Sequence, residues 1–283
     1  MKLFYYAAAA AAMASAVFCS CDKQDEVTPP QPEIAPVHFV GVTTLDVVTR
    51  AEAKPYAADF NVFIPGGTAA TKRVKYSADA WTVEGDPILV DRTGGTLVAW
   101  APAALAVTTS ASGAEYTLTA QKDAAAQDLI YQHQSVNAAN AGAVAIEMGH
   151  AYSKLSFLAT AGNGYTGAAN LTQVQITGGI YATGTLNMVD GKVDPVGTAT
   201  GTLTLAAGEK ALVVPMAGQP TIAVTCTIDG KEFTATIKAD TMPSLLAGVE
   251  YEITLTVVGQ EAVISSVKEV PWTTTKVDGG TIS

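Results

Sequence analysis

The 283-residue chain carries 16 basic and 26 acidic side chains, a net charge of −10, with no basic block and no interleaving of aromatic and basic residues. Nucleic-acid affinity rests on neutralising phosphates, so that class of partner is set aside. Only 15% of residues are charged, and Ala, Thr, Val and Gly dominate, which suits an extracellular β-protein better than a cytosolic enzyme.

The chain opens MKLFYYAAAAAAMASAVFCSC. Lys2 and the apolar run from Leu3 to Phe18 read as a signal peptide over residues 1–20, because the run is shorter than the roughly 18 to 20 residues of a membrane-spanning helix. Of the two cysteines that follow, only Cys21 comes directly after a small residue, Ser20. The stretch Phe18-Cys19-Ser20-Cys21 resembles a bacterial lipobox, with Phe18 where Leu is usual. Cys21 is the expected lipidation site, its acyl chains (palmitate among them) anchoring the protein at about 0.8 kcal/mol per buried CH₂. DKQDEVTPPQPEIAP, residues 22–36, is rich in proline and charge and reads as an extended tether. VHFVGVTTLDVVTR, residues 37–50, is strand-like and stops at Arg50. That arginine either closes a strand as a polar residue or marks a protease site before Ala51. Residues 21–50 are thus assigned to a lipidated linker and a propeptide strand.

From Ala51 onward almost no segment keeps a helical period, and strand signals recur about every ten residues. The predicted strands include DFNVFI, GTLVAWAP, EYTLTA, DLIYQ, GAVAIEM, SKLSFLATA, LTQVQIT, GTLTLAA and KALVVPM. In VEYEITLTVVG, Tyr251, Ile253, Leu255 and Val257 share one face and Glu252, Thr254 and Thr256 the other. TIAVTCTIDGKEFTATIKA is a predicted hairpin whose Asp229-Gly230 turn suits positive φ angles. Cys226 lies on its apolar face and is expected to be a buried, inert thiol, the one cysteine outside the signal region. NAANAG, residues 137–142, is the predicted seam between an N-terminal β-sandwich over 51–140 and a C-terminal one over 141–283. No period of 20 to 50 residues indicates a solenoid or propeller.

The chemistry-bearing residues are sparse. His38, His133 and His150 show no metal-ligand spacing, and His150 is expected to be a hydrogen-bonded structural histidine. No nucleophile elbow, zincin motif or P-loop is present, so neither an enzyme nor a cofactor or metal is expected. Asp190, Gly191, Lys192 and Asp194 read as turn residues, and Asp240-Thr241-Met242 fits a loose O-glycosylation pattern. Trp81, Trp100 and Trp272 offer an alternative, a sugar-stacking platform on a surface glycan-binding lipoprotein.

Several stretches in order resemble one family. KYSADAWTVEGDPILVDRTGGTLVAWAPA looks like a fimbrillin first domain. DLIYQ and VAIEMGHAYSKLSFLATA are similar to the passage into its second domain. KALVVPM, SLLAGVEYEITLTV and VPWTTTKVDGGTIS resemble its late strands and tail. The family is the fimbrillins, or type V pilins, of Bacteroidales. The resemblance implies two transthyretin-like β-sandwich domains, export as an outer-membrane lipoprotein and trimming by an arginine-specific protease between Arg50 and Ala51. The mature form would join an extracellular fimbrium serving adhesion or biofilm formation. A sandwich that loses a strand exposes unpaired backbone groups and an apolar groove, and such an edge recruits another strand. Other pilin subunits are therefore the expected partners, joined by donor-strand exchange, with the donor expected within residues 262–283.

Overall fold

The computed structural model describes residues 33–45, 54–67, 70–218, 221–242 and 244–272. Residues 1–20, expected to be a signal peptide, Cys21, Arg50, Ala51 and the tail 273–283 lie outside the described residues. The fold is all-β, and the one helical element among the described residues is the short 3₁₀ turn Ala141–Ala143.

An eight-stranded sheet runs in the order Lys54–Pro55, Phe39–Thr44, Val144–His150, Ile130–Val136, Gly95–Ala101, Phe60–Phe63, Lys72–Ser77, Ala80–Val83. A five-stranded sheet has the order Gln121–Lys122, Ala211–Val213, Ser153–Ala161, Glu250–Val258, Glu261–Val270. It packs against a four-stranded sheet formed by Gly201–Ala206, Leu171–Ile180, Ile222–Ile228 and Lys231–Ile237. Another four-stranded sheet joins Thr108–Ser110 and Gly113–Thr119 to Thr183–Asn187 and Lys192–Val196. Strands from both sides of residues 137–142 therefore share sheets: Val144–His150 completes the eight-stranded sheet, and Thr183–Asn187 pairs antiparallel with Gly113–Thr119.

Side-chain alternation decides which core each strand serves. In Gly95–Ala101, Leu97, Ala99 and Ala101 enter the apolar cluster of the eight-stranded sheet, while Val98 and Trp100 point into a second cluster with Leu118, Tyr152 and Met188. This strand is buried on both faces, so its sequence reads as a continuous apolar run. A third cluster lies between the five-stranded sheet and its four-stranded partner. There Tyr251, Ile253, Leu255 and Val257 are buried, on the face that their alternation predicts. The hairpin Ile222–Ile228 and Lys231–Ile237 turns at Asp229 (φ 48°) and Gly230 (φ 73°), the geometry its dipeptide favours. The Asp229 carboxylate also accepts from the Tyr165 hydroxyl at 2.7 Å and from the backbone N–H groups of Ala169 and Asn170, and these bonds, Tyr165 foremost, hold its pKa below the usual carboxylate value.

Candidate functional site beneath the N-terminal strands

Residues 34–45 cover the apolar cluster of the eight-stranded sheet: Phe39–Thr44 is one of its strands, and Ile34–Pro36 lies in a separate two-stranded ladder. Ala35, Val37 and Phe39 alternate inward, and Ile34 and Val40 stand outside at 61% and 60% exposure. Strict alternation would next bury Gly41. The register instead slips by one residue at Val40, where Phe39 pairs with Val144 but Gly41 pairs with Ala145. That bulge turns Val42 inward, and Val42 is 1% exposed. The Phe39 ring meets Phe60 edge-on, with centroids 5.4 Å apart at 85°.

The backbone of this segment is tied to two neighbours. Ile34–Pro36 pairs antiparallel with Leu89–Asp91, and Phe39–Thr44 pairs parallel with Val144–His150. Between the two strands, Val37 N donates to Ile88 O at 2.8 Å and His38 N to Ala141 O at 2.8 Å. Beyond them, Leu45 N donates to Met148 O at 2.9 Å. The cover on the outer side of Phe39–Thr44 is short among the described residues: Thr43 and Thr44 pair with Lys54–Pro55, and Tyr56 N donates to Val42 O at 2.8 Å. Clefts flank the segment: one of about 240 Å³ along 36–39 against Trp81 and Val83, and one of about 550 Å³ between Ile34, Ile64 and Leu89.

Removing residues 34–45 would uncover Phe60, Ile88, Ile146 and Met148 and strip the ladder from residues 144–148. Each apolar side chain withdrawn from such a groove forfeits about 1.5–3 kcal/mol of burial. The resulting edge is a template for another strand.

The other end of the described chain is anchored around Trp272, which is 6% exposed. Its Nε1 donates to Asp128 Oδ2 at 3.1 Å. The His150 ring stacks on the indole at 4.1 Å, and Lys154 Nζ lies 4.1 Å from the indole centroid. His150 Nδ1 stands 2.9 Å from the same Asp128 oxygen, at ion-pair distance but off the line of a hydrogen bond. Lys154, with its side chain fully buried, pairs with Asp123 at 2.8 Å. Glu250, also buried, pairs with Lys210 at 2.6 Å. These buried charges were not evident in the sequence. Lys154 stands in an apolar strand pattern, and its partner lies 31 positions away with no motif linking them.

The remaining singled-out residues are structural or solvent-facing. His150 has the buried side chain among the three histidines; His38 and His133 are exposed. Cys226 is fully buried with its Sγ 3.5 Å from Phe233 O, and burial pushes its pKa up to about 11, so the thiolate that would react is suppressed. Asp190, in an exposed turn with Gly191, accepts from Lys192 N at 2.9 Å, whereas Lys192 and Asp194, which pair at 2.8 Å, lie in the strand Lys192–Val196 rather than in the turn. Among the described residues no group of three or more His, Cys, Asp or Glu side chains is placed to hold a metal ion. Thr241 is exposed beside Asp240. The three tryptophans share no surface: Trp81 is half-buried against Tyr76, while Trp100 and Trp272 are buried in one cluster. They do not assemble a stacking platform.

An all-β sandwich protein whose N-terminal strand fills a groove of its own main sheet is the class that this geometry defines. A family model described as fimbrillin-like matches residues 42–272, and the chain belongs to that family. No curated protein matches it. Among solved structures, it is similar to a candidate cell adhesion protein of Bacteroides ovatus, with 16% identity and a TM-score of 0.60 over 86% of this chain and 99% of the other. A second, from Bacteroides uniformis, shares 20% identity at a TM-score of 0.57, covering 77% and 93%. At these identities the likeness concerns the fold.

Proposed function

We propose that this protein is a structural pilus subunit that polymerises by exchanging a strand in the N-terminal groove. It is exported as a lipoprotein anchored in the outer membrane through Cys21 and cleaved between Arg50 and Ala51 by an arginine-specific protease. Residues before the cut, including strands Ile34–Pro36 and Phe39–Thr44, then leave, and a segment within residues 262–283 of another subunit enters. The two-domain, transthyretin-like division implied by the family resemblance belongs to the same proposal. Fimbrillin-like membership supports a subunit whose partners are other pilin subunits at the cell surface, with a structural rather than catalytic role.

The observation that carries the mechanism is the position of residues 34–45. They are buried deeply enough to complete the sheet, yet they lie on the amino-terminal side of Arg50, and among the described residues one flank is covered only by the short run 54–56. While attached, this strand occupies its groove at an effective concentration that a separate donor cannot match. A head-to-tail joint that does not close on itself then grows into a filament.

Fractionation and gel analysis of two variants test these steps. Arg50→Ala is expected to stay monomeric on the outer membrane, and polymer from the uncleaved variant would sink the mechanism. Cys21→Ala is expected in the soluble periplasmic fraction; persistent partition with outer membrane would refute the anchor.

A further inference from the structure

Within residues 261–272 only Ala262 and Trp272 are buried. The strand Glu261–Val270 forms the rim of the five-stranded sheet and is laddered on one side to Glu250–Val258. Trp272 is thus the side chain that fixes the end of this strand. Two of its polar neighbours, His150 and Lys154, belong to one continuous stretch: His150 ends Val144–His150, which passes through Ala151 and Tyr152 into Ser153–Ala161.

The strand Val144–His150 depends on the N-terminal strand. Residues 144–148 pair along Phe39–Thr44. On the opposite side, backbone pairing with Ile130–Val136 is confined to Gly149 and His150. Elsewhere on that side, side chains substitute: Gln134 Nε2 donates to Ala145 O at 3.1 Å, and Glu147 N donates to Gln132 Oε1. Loss of residues 34–45 therefore removes the ladder from a run that ends two residues before His150.

On the premise of the polymerisation described above, we propose that the N-terminal strand controls the donor end as well as the acceptor groove. In place, it holds Val144–His150 and with it the seat of Trp272. Its removal loosens His150 against the indole, while Lys154 stays laddered on both sides in the five-stranded sheet, and strand Glu261–Val270 can leave its sheet. One cut thereby releases both ends of the joint, and the precursor is inert at both. The coupling runs through a contiguous packed stretch rather than across open space.

Hydrogen exchange read by mass spectrometry on the full chain tests this. After cleavage at a dilution that keeps the protein monomeric, the amides of residues 261–270 are expected to exchange at least about tenfold faster than in the precursor, with the hairpin 222–237 unchanged. Unchanged exchange at 261–270 overturns the coupling, whether or not filaments form. Faster exchange at that dilution, with no filaments when the cleaved protein is concentrated, would instead refute the polymerisation while the loosening stands. A second arm places His150→Ala in the Arg50→Ala background, leaving the groove and the donor strand intact. That double variant is expected to cap cleaved wild-type subunits and shorten filaments, whereas Arg50→Ala alone does not; equal lengths with both overturn the coupling. Circular dichroism checks folding, and Asp128→Asn takes the place of His150→Ala if the latter unfolds.

Discussion

Among single residues, the heaviest demands fall where a polar or bulky group is buried. Lys154 and Asp123 illustrate this, since deleting one member of a buried pair leaves an uncompensated charge at a cost of about 3–5 kcal/mol. Trp272 combines an apolar body with a satisfied indole N–H, whereas the buried Trp100 N–H finds no acceptor among the described residues. Trp272→Ala is expected to lower precursor stability by about 3–5 kcal/mol in urea denaturation. Val263 provides the contrast: it pairs with Thr256 on the rim strand and is 44% exposed. In the same assay Val263→Ala should stay within about 0.5 kcal/mol of the parent.

The N-terminal strand and its groove form a matched pair of elements. The inward residues Ala35, Val37, Phe39 and Val42 follow a spacing that the bulge at Val40 makes possible, so under the proposed exchange a replacement strand would have to satisfy the same pockets with the same break in alternation. Main-chain bonds supply affinity, and the pockets supply selection. A synthetic peptide of residues 33–45, added to freshly cleaved subunits, is expected to refill the groove and halt filament growth. The same peptide with Val42→Asp should fail, because it would bury an unpaired carboxylate. Equal inhibition by both peptides in a light-scattering assay would argue against pocket-directed pairing.

Across the folded body, the cluster around Trp100, Tyr152 and Trp272 draws on strands from both sides of residues 137–142, as does the sheet that pairs Gly113–Thr119 with Thr183–Asn187. A body joined in this way should unfold as one cooperative unit. Far-ultraviolet circular dichroism and tryptophan fluorescence are expected to give coincident urea transitions for the precursor, and two separated transitions would show that the shared sheet contributes little to cooperativity.

Local features were legible in the amino-acid order: the all-β character, the inward faces of strands such as Glu250–Val258, the turn at Asp229 and Gly230, and the burial of Cys226. Each is written in residues close together in the chain, through alternation, turn chemistry or the apolar face of one strand. Which strands became neighbours was settled only by packing in three dimensions. The parallel pairing of Phe39–Thr44 with Val144–His150, the phase change at Val40, and the meeting of Asp128, His150, Lys154 and Trp272 all join residues far apart in sequence. Backbone donors and acceptors are the same in every strand, so alternation states which face is buried but not which partner lies beside it, and that choice is made only when the side chains pack.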